Sequence, residues 1–222
     1  MKMKFLYITD IHGHISIIKK LIEKERAEDF DAVIIGGDVT DFGPLELGIK
    51  ILKILSSRAR KVLFVPGNCD PLDLINLSFS DEIIPIHGSV YRLYDVLSIG
   101  GIGGSNITPF NTLFEWSEEY AAKLLHSIGN KVRKGIFVSH APPFKTKLDI
   151  TRINTHAGSK TIREFIEKTG PLVALTGHIH ESRGKDYLGK TLIINPGPLV
   201  NGYYAVIEIT GSDTVMVQFR TI

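Results

Sequence analysis

The sequence predicts an α/β fold in which two sheets pack face to face and helices cover their outer sides. Five short apolar segments rich in β-branched residues have the character of strands buried on both faces. Stretches with helical periodicity lie between the early segments of this set. Shorter strand-like segments, separated by turn residues, come later in the chain. Each of the five is followed within three residues by Asp, Asn or His, and they are residues 5–8, 32–35, 62–65, 136–138 and 172–175.

The first third of the chain alternates strands and helices. A first helix is predicted over residues 14–26, and a second begins near Pro44, because proline is favourable at the first helical position. Both helices carry their apolar residues on one face, as expected for helices that cover a sheet. On the first helix these residues are Ile15, Ile18, Leu21 and Ile22.

The remainder of the chain is richer in strands. Residues 82–104 hold short strand-like segments and end in a glycine-rich turn. Ser117 and Ser159 are predicted to cap two further helices, which end near Gly129 and Gly170. Antiparallel strand candidates in the tail are residues 191–194, 203–209 and 214–220.

Length and composition indicate one domain over residues 1–222, with 43% hydrophobic and 23% charged residues. The net charge of +2 argues against a general polyanion binder, so binding of nucleic acid is not expected. The single cysteine excludes an intramolecular disulfide and a cysteine-based zinc site. We expect a cytoplasmic protein, because no segment reads as a membrane span or as a signal peptide.

The polar residues after the strands are of the types that bind two divalent metal ions: carboxylates, one amide and several imidazoles. In α/β sheets, ligands bind beyond the carboxyl ends of the strands, where all these residues lie. Residues two apart on an extended strand end point the same way, so Asp10 with His12, and His178 with His180, are each expected to reach one ion. The candidate ligands are Asp10, His12, Asp38, Asn68, His140, His178 and His180.

The order of these motifs resembles that of the calcineurin-like metallophosphoesterases, in their branch of small single-domain phosphodiesterases, over nearly the whole chain. The motifs are Asp10-Ile11-His12, Gly37-Asp38, Gly67-Asn68-Cys69-Asp70, His140 and Gly177-His178-Ile179-His180. The resemblance implies a four-layer α/β/β/α sandwich of two mixed sheets flanked by helices, with a dinuclear metal site. One metal would take Asp10, His12, Asp38 and His180, and the other would take Asp38, Asn68, His140 and His178.

The implied activity is metal-dependent phosphoester hydrolysis, with Asp38, Asn68 and His140 as catalytic residues. A hydroxide bridging the two metals would attack the phosphorus atom of a small phosphoester. Two divalent ions, two carboxylates and this hydroxide leave a net charge of +1, which suits an anionic ester. Mn is the first expectation for the metal, and Fe, Zn, Ni and Co are alternatives.

Two positions depart from the family pattern. Cys69 stands where most catalytic members have a histidine that is thought to protonate the leaving group. This predicts weak turnover of alkyl esters, better turnover of aryl esters and a gain from Cys69→His, unless Cys69 is only a small buried spacer. His156, in a long loop between ligand segments, is another source of the acid. Phe42 replaces the arginine of the related protein phosphatases, which favours monoanionic diesters over monoesters.

The sequence is also compatible with two other classes of function. A non-catalytic scaffold is one alternative, because the retromer subunit of the superfamily also resembles this chain at Gly67-Asn68-Cys69-Asp70. A nuclease is another, and steep salt dependence of DNA binding would favour it. Residues 110–116 are apolar and aromatic, which is compatible with an interface in a homo-oligomer or with a lid over the site.

Overall fold

A computed structural model describes residues 2–76, 81–211 and 213–222. Within these ranges, two six-stranded mixed sheets and one two-stranded sheet are present. The helices are α1 Ile15–Lys24, α2 Leu45–Ser56, α3 Glu118–Ile128 and α4 Lys160–Thr169, with short 3-10 helices at Leu72–Ile75, Gly129–Val132 and Leu199–Asn201. The strands are β1 Lys2–Ile8, β2 Ala32–Ile35, β3 Val62–Phe64, β4 Ile83–Pro85, β5 Val90–Leu93, β6 Leu97–Ile102, β7 Ser105–Asn106, β8 Glu115–Trp116, β9 Ile136–Ser139, β10 Val173–Thr176, β11 Gly184–Leu188, β12 Thr191–Asn195, β13 Tyr203–Thr210 and β14 Thr214–Thr221.

Each large sheet combines parallel strands with antiparallel ones, at one edge of the first sheet and at both edges of the second. In the first sheet the order is β14-β13-β1-β2-β3-β4, and β1 to β4 are parallel. In the second sheet the order is β11-β12-β10-β9-β6-β5, and only the two edge strands are antiparallel to their neighbours. The parallel strands therefore all direct their carboxyl ends toward one rim of their sheet.

The apolar core has three parts, which correspond to a four-layer sandwich. Side chains from the facing sides of both sheets form the central part, including Phe5 and Ile34 from the first sheet and Ile99 and Val138 from the second. The other two parts lie between the first sheet and α1–α2, and between the second sheet and α3–α4. The predicted α/β/β/α arrangement is thus confirmed. Burial of each such large apolar side chain stabilises the fold by about 2 kcal/mol.

Local signals in the sequence set the helix boundaries. The hydroxyl oxygens of Ser117 and Ser159 accept hydrogen bonds from the backbone N–H of Tyr120 and Ile162, both at 3.2 Å. Gly170 adopts a left-handed φ of 62° at the end of α4. These predicted caps are confirmed. No helix within the described ranges is long and apolar enough to cross a membrane.

The tail of the chain departs from the predicted antiparallel arrangement in one place. β12 pairs antiparallel with β11 but parallel with β10. Every residue of β12 is buried, so its sequence pattern does not reveal the direction of either neighbour. β11 was not predicted, because this short edge strand is mostly polar and begins at a glycine.

Candidate metal centre

The seven candidate ligands lie in loops that follow β1, β2, β3, β9 and β10. Three of these strands belong to the first sheet and two belong to the second, and their carboxyl ends meet at one rim. Beneath that rim the Tyr7 hydroxyl donates a 2.8 Å hydrogen bond to the carbonyl oxygen of Thr176. This buried bond joins the two sheets directly below the site.

Four of the candidate ligands adopt a left-handed backbone conformation. The φ angles are 54° at Asp10, 49° at His12, 50° at Asp38 and 68° at His178. The expectation that paired ligands converge because they lie on extended strand ends was therefore wrong. Instead, tight turns aim the side chains, and the His12 N–H donates to the Asp38 carbonyl at 2.9 Å to hold two of these turns together. Such strained backbone is concentrated at functional sites.

A first group of ligand atoms surrounds Asp10. The side-chain donors of Asp10, His12 and His180 all lie within 4.8 Å of one another. His180 Nε2 is 3.3 Å from Asp10 Oδ1, and His12 Nε2 is 3.3 Å from His180 Nε2. The Asp38 Oδ2 atom is 3.7 Å from His12 Nε2, so Asp38 lies at the edge of this group.

A second group of ligand atoms surrounds His140. Its Nε2 atom is 2.9 Å from Asn68 Oδ1 and 3.5 Å from Asp38 Oδ2. The His178 ring packs against the His140 ring at a centroid distance of 5.1 Å. Asp38 thus lies next to both groups of donors.

Hydrogen bonds fix which atom of each ligand faces the site. His140 Nδ1 donates to the Gly36 carbonyl at 2.7 Å, which turns Nε2 toward Asn68 Oδ1 and Asp38 Oδ2. Asp38 Oδ1 accepts from the Cys69 N–H at 2.9 Å, which leaves Oδ2 toward the histidines. A cation between the two groups would therefore meet His140 Nε2 and Asp38 Oδ2 in fixed orientations.

The electrostatics of the site also fit bound cations. Asp10 and Asp38 are buried, and within the described ranges their ion-pair partners are histidines, never lysine or arginine. Burial would raise the pKa of Asp38, but His140 and His12 lower it, so the carboxylate stays charged. Burial and His140 lower the pKa of His178 to about 4, which keeps this imidazole neutral and able to coordinate.

Close approach of the loops depends on glycine at two positions. A Cβ atom on Gly67 would overlap the Asp38 carboxylate, and a Cβ atom on Gly177 would overlap the Thr9 side chain. The same Gly177 Cβ would lie 2.8 Å from Asp10 Oδ2. The glycines in these motifs thus give the carboxylates room to reach the site.

The neighbouring acidic residues differ in role. Asp41 is 63% exposed, and its Oδ1 atom lies 3.6 Å from His12 Nδ1. Asp70 is buried and accepts hydrogen bonds from Val39, Thr40 and Gly67, so it ties the Asp38 loop to the Asn68 loop. The sequence did not show this connection, because Val39 and Thr40 are distant from Asp70 in the chain.

Cys69 is buried beside Asn68, and its sulfur atom also lies within 4.8 Å of ligand atoms of His12 and Asp41. Its sulfur atom lies 3.6 Å from Asn68 Nδ2. Burial and the nearby Asp38 carboxylate raise the pKa of the Cys69 thiol well above its ordinary value. The thiol is therefore neutral at pH 7, which agrees with a small buried spacer.

This rim, with its buried carboxylates, amide and imidazoles, could hold metal ions. Residues 3–182 match the model of the calcineurin-like phosphoesterase family, and the chain belongs to that family. The Methanocaldococcus jannaschii protein "Uncharacterized protein MJ1162" is 38% identical over 204 residues, covering 88% of each chain.

Two further proteins are less similar in sequence. A Ruthia magnifica protein named "Probable cyclic nucleotide phosphodiesterase" is 26% identical over 194 residues, covering 86% of this chain and 79% of that protein. The crystal structure of TT1561 from Thermus thermophilus has a TM-score of 0.73 at 17% identity, covering 98% of this chain and 99% of that one. This structural similarity shows a shared fold.

Removal of metal is expected to destabilise the protein. A ligand at about 100 times its Kd stabilises the native state by about 2.7 kcal/mol, so chelation should lower the unfolding midpoint by several degrees. Calorimetry of metal-stripped and Mn-reloaded protein measures the difference. The same comparison on Asp38→Asn should show a much smaller shift, and an unchanged midpoint in the unsubstituted protein would contradict metal binding.

Proposed function

We propose that the protein, as a single domain over residues 1–222, is a metal-dependent phosphodiesterase that hydrolyses a small phosphoester. Membership of the phosphoesterase family gives the reaction class. The observation that carries the proposal is the position of Asp38, whose Oδ2 atom lies within 3.7 Å of His12 and 3.5 Å of His140. One carboxylate between two groups of imidazoles suits a pair of divalent ions.

The two groups of donors would divide the ions between them. Asp10, His12 and His180 would hold one ion, Asn68, His140 and His178 would hold the other, and Asp38 would contact both. When bound, two divalent ions lower the pKa of a coordinated water and stabilise charge on the phosphoryl oxygens. Mn is our first choice because the donors are a mixture of oxygen and imidazole nitrogen, which Fe, Zn, Ni and Co also accept.

The preference for diesters rests on charge and on one side chain. A site with a net charge of about +1 matches a monoanionic diester more closely than a dianionic monoester. At the position of the phosphatase arginine, Phe42 is exposed and supplies no guanidinium to grip a second anionic oxygen. The name of the Ruthia magnifica relative is in line with this preference.

The proposal predicts Mn-dependent hydrolysis of bis(p-nitrophenyl) phosphate by the metal-stripped and reloaded protein. We expect kcat/KM for this diester to exceed that for p-nitrophenyl phosphate by at least about tenfold, which is about 1.4 kcal/mol of transition-state stabilisation. A higher value for the monoester would contradict the diester preference. Absence of turnover in folded, metal-loaded protein would instead favour the non-catalytic scaffold.

A further inference from the structure

A cavity of about 700 Å³ opens beside the candidate metal ligands. His178 and His180 form part of its wall, and His156 lies in the same wall. Two loops complete it, and they expose large apolar side chains: Phe110 is 79% exposed and Ile153 is 81% exposed. The cavity therefore has an imidazole-rich end at the metal centre and an apolar outer part.

The loop that carries His156 is a hairpin pinned to the metal-ligand segment. Residues 149–157 fold back on themselves through backbone hydrogen bonds and an antiparallel bridge. Ser182 donates its hydroxyl to the carbonyl of Ile150 at 2.5 Å, and the Arg152 N–H donates to Glu181 at 2.7 Å. Both contacts are made to residues just after His180, so the hairpin has a fixed position relative to the site.

A buried carboxylate orients the His156 ring. Asp149 is fully buried and accepts backbone hydrogen bonds from Thr146 at 2.9 Å and Gly158 at 3.1 Å. Its Oδ1 atom also lies 2.7 Å from His156 Nδ1. Among the residues that the structure describes, Nε2 of His156 has no hydrogen-bond partner, and the side chain is 39% exposed. An Asp–His pair of this kind fixes one nitrogen and leaves the other for a ligand.

We propose that His156 is the proton donor to the leaving group, and that the cavity binds a leaving group with an apolar body. The proposal rests on the proposed phosphodiesterase activity. A water oxygen forms a bond to phosphorus while the bond from phosphorus to the leaving oxygen breaks. The proton on His156 Nε2 moves to that oxygen, giving a neutral alcohol and a phosphomonoester. The proton released by water goes to solvent, and solvent reprotonates His156 through the open cavity.

His156 would thus supply the proton that the neutral, buried thiol of Cys69 does not supply. Cys69 is buried and its sulfur atom lies against the Asn68 side chain, whereas His156 lines a cavity open to solvent. The exposed Ile107, Phe110 and Ile153 lie on the two loops that line the outer part of the cavity, where the body of a leaving group would extend. Apolar contact there would remove these side chains from water, which favours aromatic or aliphatic groups.

The test compares two diesters that differ in their need for a proton donor. Bis(p-nitrophenyl) phosphate releases a stable phenolate, whereas dibenzyl phosphate releases a basic alkoxide. His156→Asn retains an amide able to reach Asp149 but lacks the second ring nitrogen. We expect this variant to lose about 100-fold in kcat on dibenzyl phosphate and less than about threefold on bis(p-nitrophenyl) phosphate. His126→Asn, on the exposed side of α3, is the matched control and should change neither rate.

Further variants separate proton donation from a structural effect. Cys69→His in the His156→Asn background should restore part of the dibenzyl activity, whereas Cys69→His alone should add little. Ile153→Ala should raise KM for dibenzyl phosphate about fivefold, the value of about 1 kcal/mol of lost apolar contact, with kcat unchanged. If His156→Asn is unstable, His156→Gln can be used to compare the loss of kcat on dibenzyl phosphate with the loss on bis(p-nitrophenyl) phosphate.

Equal losses on both esters in the His156 variants would overturn the proposal for His156. Failure of the unsubstituted, metal-loaded protein to hydrolyse bis(p-nitrophenyl) phosphate would instead overturn the proposed function. Turnover of that ester with selective loss of the dibenzyl reaction supports both proposals. The two failures are thus distinguished by the activity of the unsubstituted protein.

Discussion

Asp38→Asn is expected to reduce diester hydrolysis at least about 10³-fold, a loss of about 4 kcal/mol of transition-state stabilisation. Asp38 is the carboxylate that lies between the two groups of donors, and its Oδ2 atom faces His12 and His140. The asparagine keeps the size of the side chain but removes the negative charge that would offset two divalent ions. Steady-state kinetics at saturating Mn, with metal analysis of the same sample, measures both consequences.

Asp41→Asn is the matched control for this substitution. Asp41 is three residues away in sequence, but its side chain is 63% exposed and lies only at the edge of the site, 3.6 Å from His12 Nδ1. We expect its kcat/KM to change less than about threefold, which is below 1 kcal/mol, as for an exposed charge pair. If Asp38→Asn retained full activity, or if both variants lost it equally, Asp38 would not be the shared ligand.

Asp70→Ala is expected to lower the free energy of unfolding by about 4 kcal/mol and to abolish metal binding. The carboxylate is fully buried and accepts the Thr40 N–H at 2.7 Å, the Gly67 N–H at 2.8 Å and the Val39 N–H at 3.0 Å. Alanine would remove the partner of these three backbone donors and of the Thr40 hydroxyl, at about 1–3 kcal/mol each before relaxation. It would also disconnect the loops that present Asp38 and Asn68.

Urea unfolding of Asp70→Ala, with and without Mn, tests this expectation. Asp73→Ala is the matched control, because Asp73 is exposed at the start of the neighbouring 3-10 helix. We expect the control to change stability by less than about 0.5 kcal/mol. An Asp70→Ala protein as stable as the control would show that its hydrogen bonds contribute little to the site.

Much of the fold could be predicted because local signals act at short range. The buried strands read as apolar β-branched runs, and Ser117, Ser159 and Gly170 mark helix ends through contacts within a few residues. The carboxyl ends of parallel strands share a rim, so the sequence alone predicts that the candidate ligands lie together. Because these ligands are carboxylate, amide and imidazole groups, their residue types then predicted metal binding.

Other features of the site depend on contacts between distant segments. The left-handed turns at Asp10 and His178 have only a weak signature in residue type, since Asp and His adopt positive φ more often than most residues but neither position is glycine. Nothing in the sequence marks Asp149 as the buried partner of His156, seven residues later. The role of Tyr7 as a link to Thr176 spans 169 residues and could be found only in the structure.

The alternatives to a phosphodiesterase make different demands on the same residues. A scaffold on this fold needs no complete set of ligands. Five of the seven candidate ligands nevertheless lie in close groups at the rim, and the other two, Asn68 and His178, contact His140. A nuclease needs broad contact with a polyanion, and the net charge of the chain is only +2. We therefore favour a small diester as the substrate.

The most direct test of the account is a titration of metal-stripped protein with Mn, in which bound metal and hydrolysis of bis(p-nitrophenyl) phosphate are measured together. We predict that activity rises to a plateau at about two ions per chain, as two-metal hydrolysis requires. Full activity with one ion bound, or two bound ions without any hydrolysis, would contradict the dinuclear phosphodiesterase.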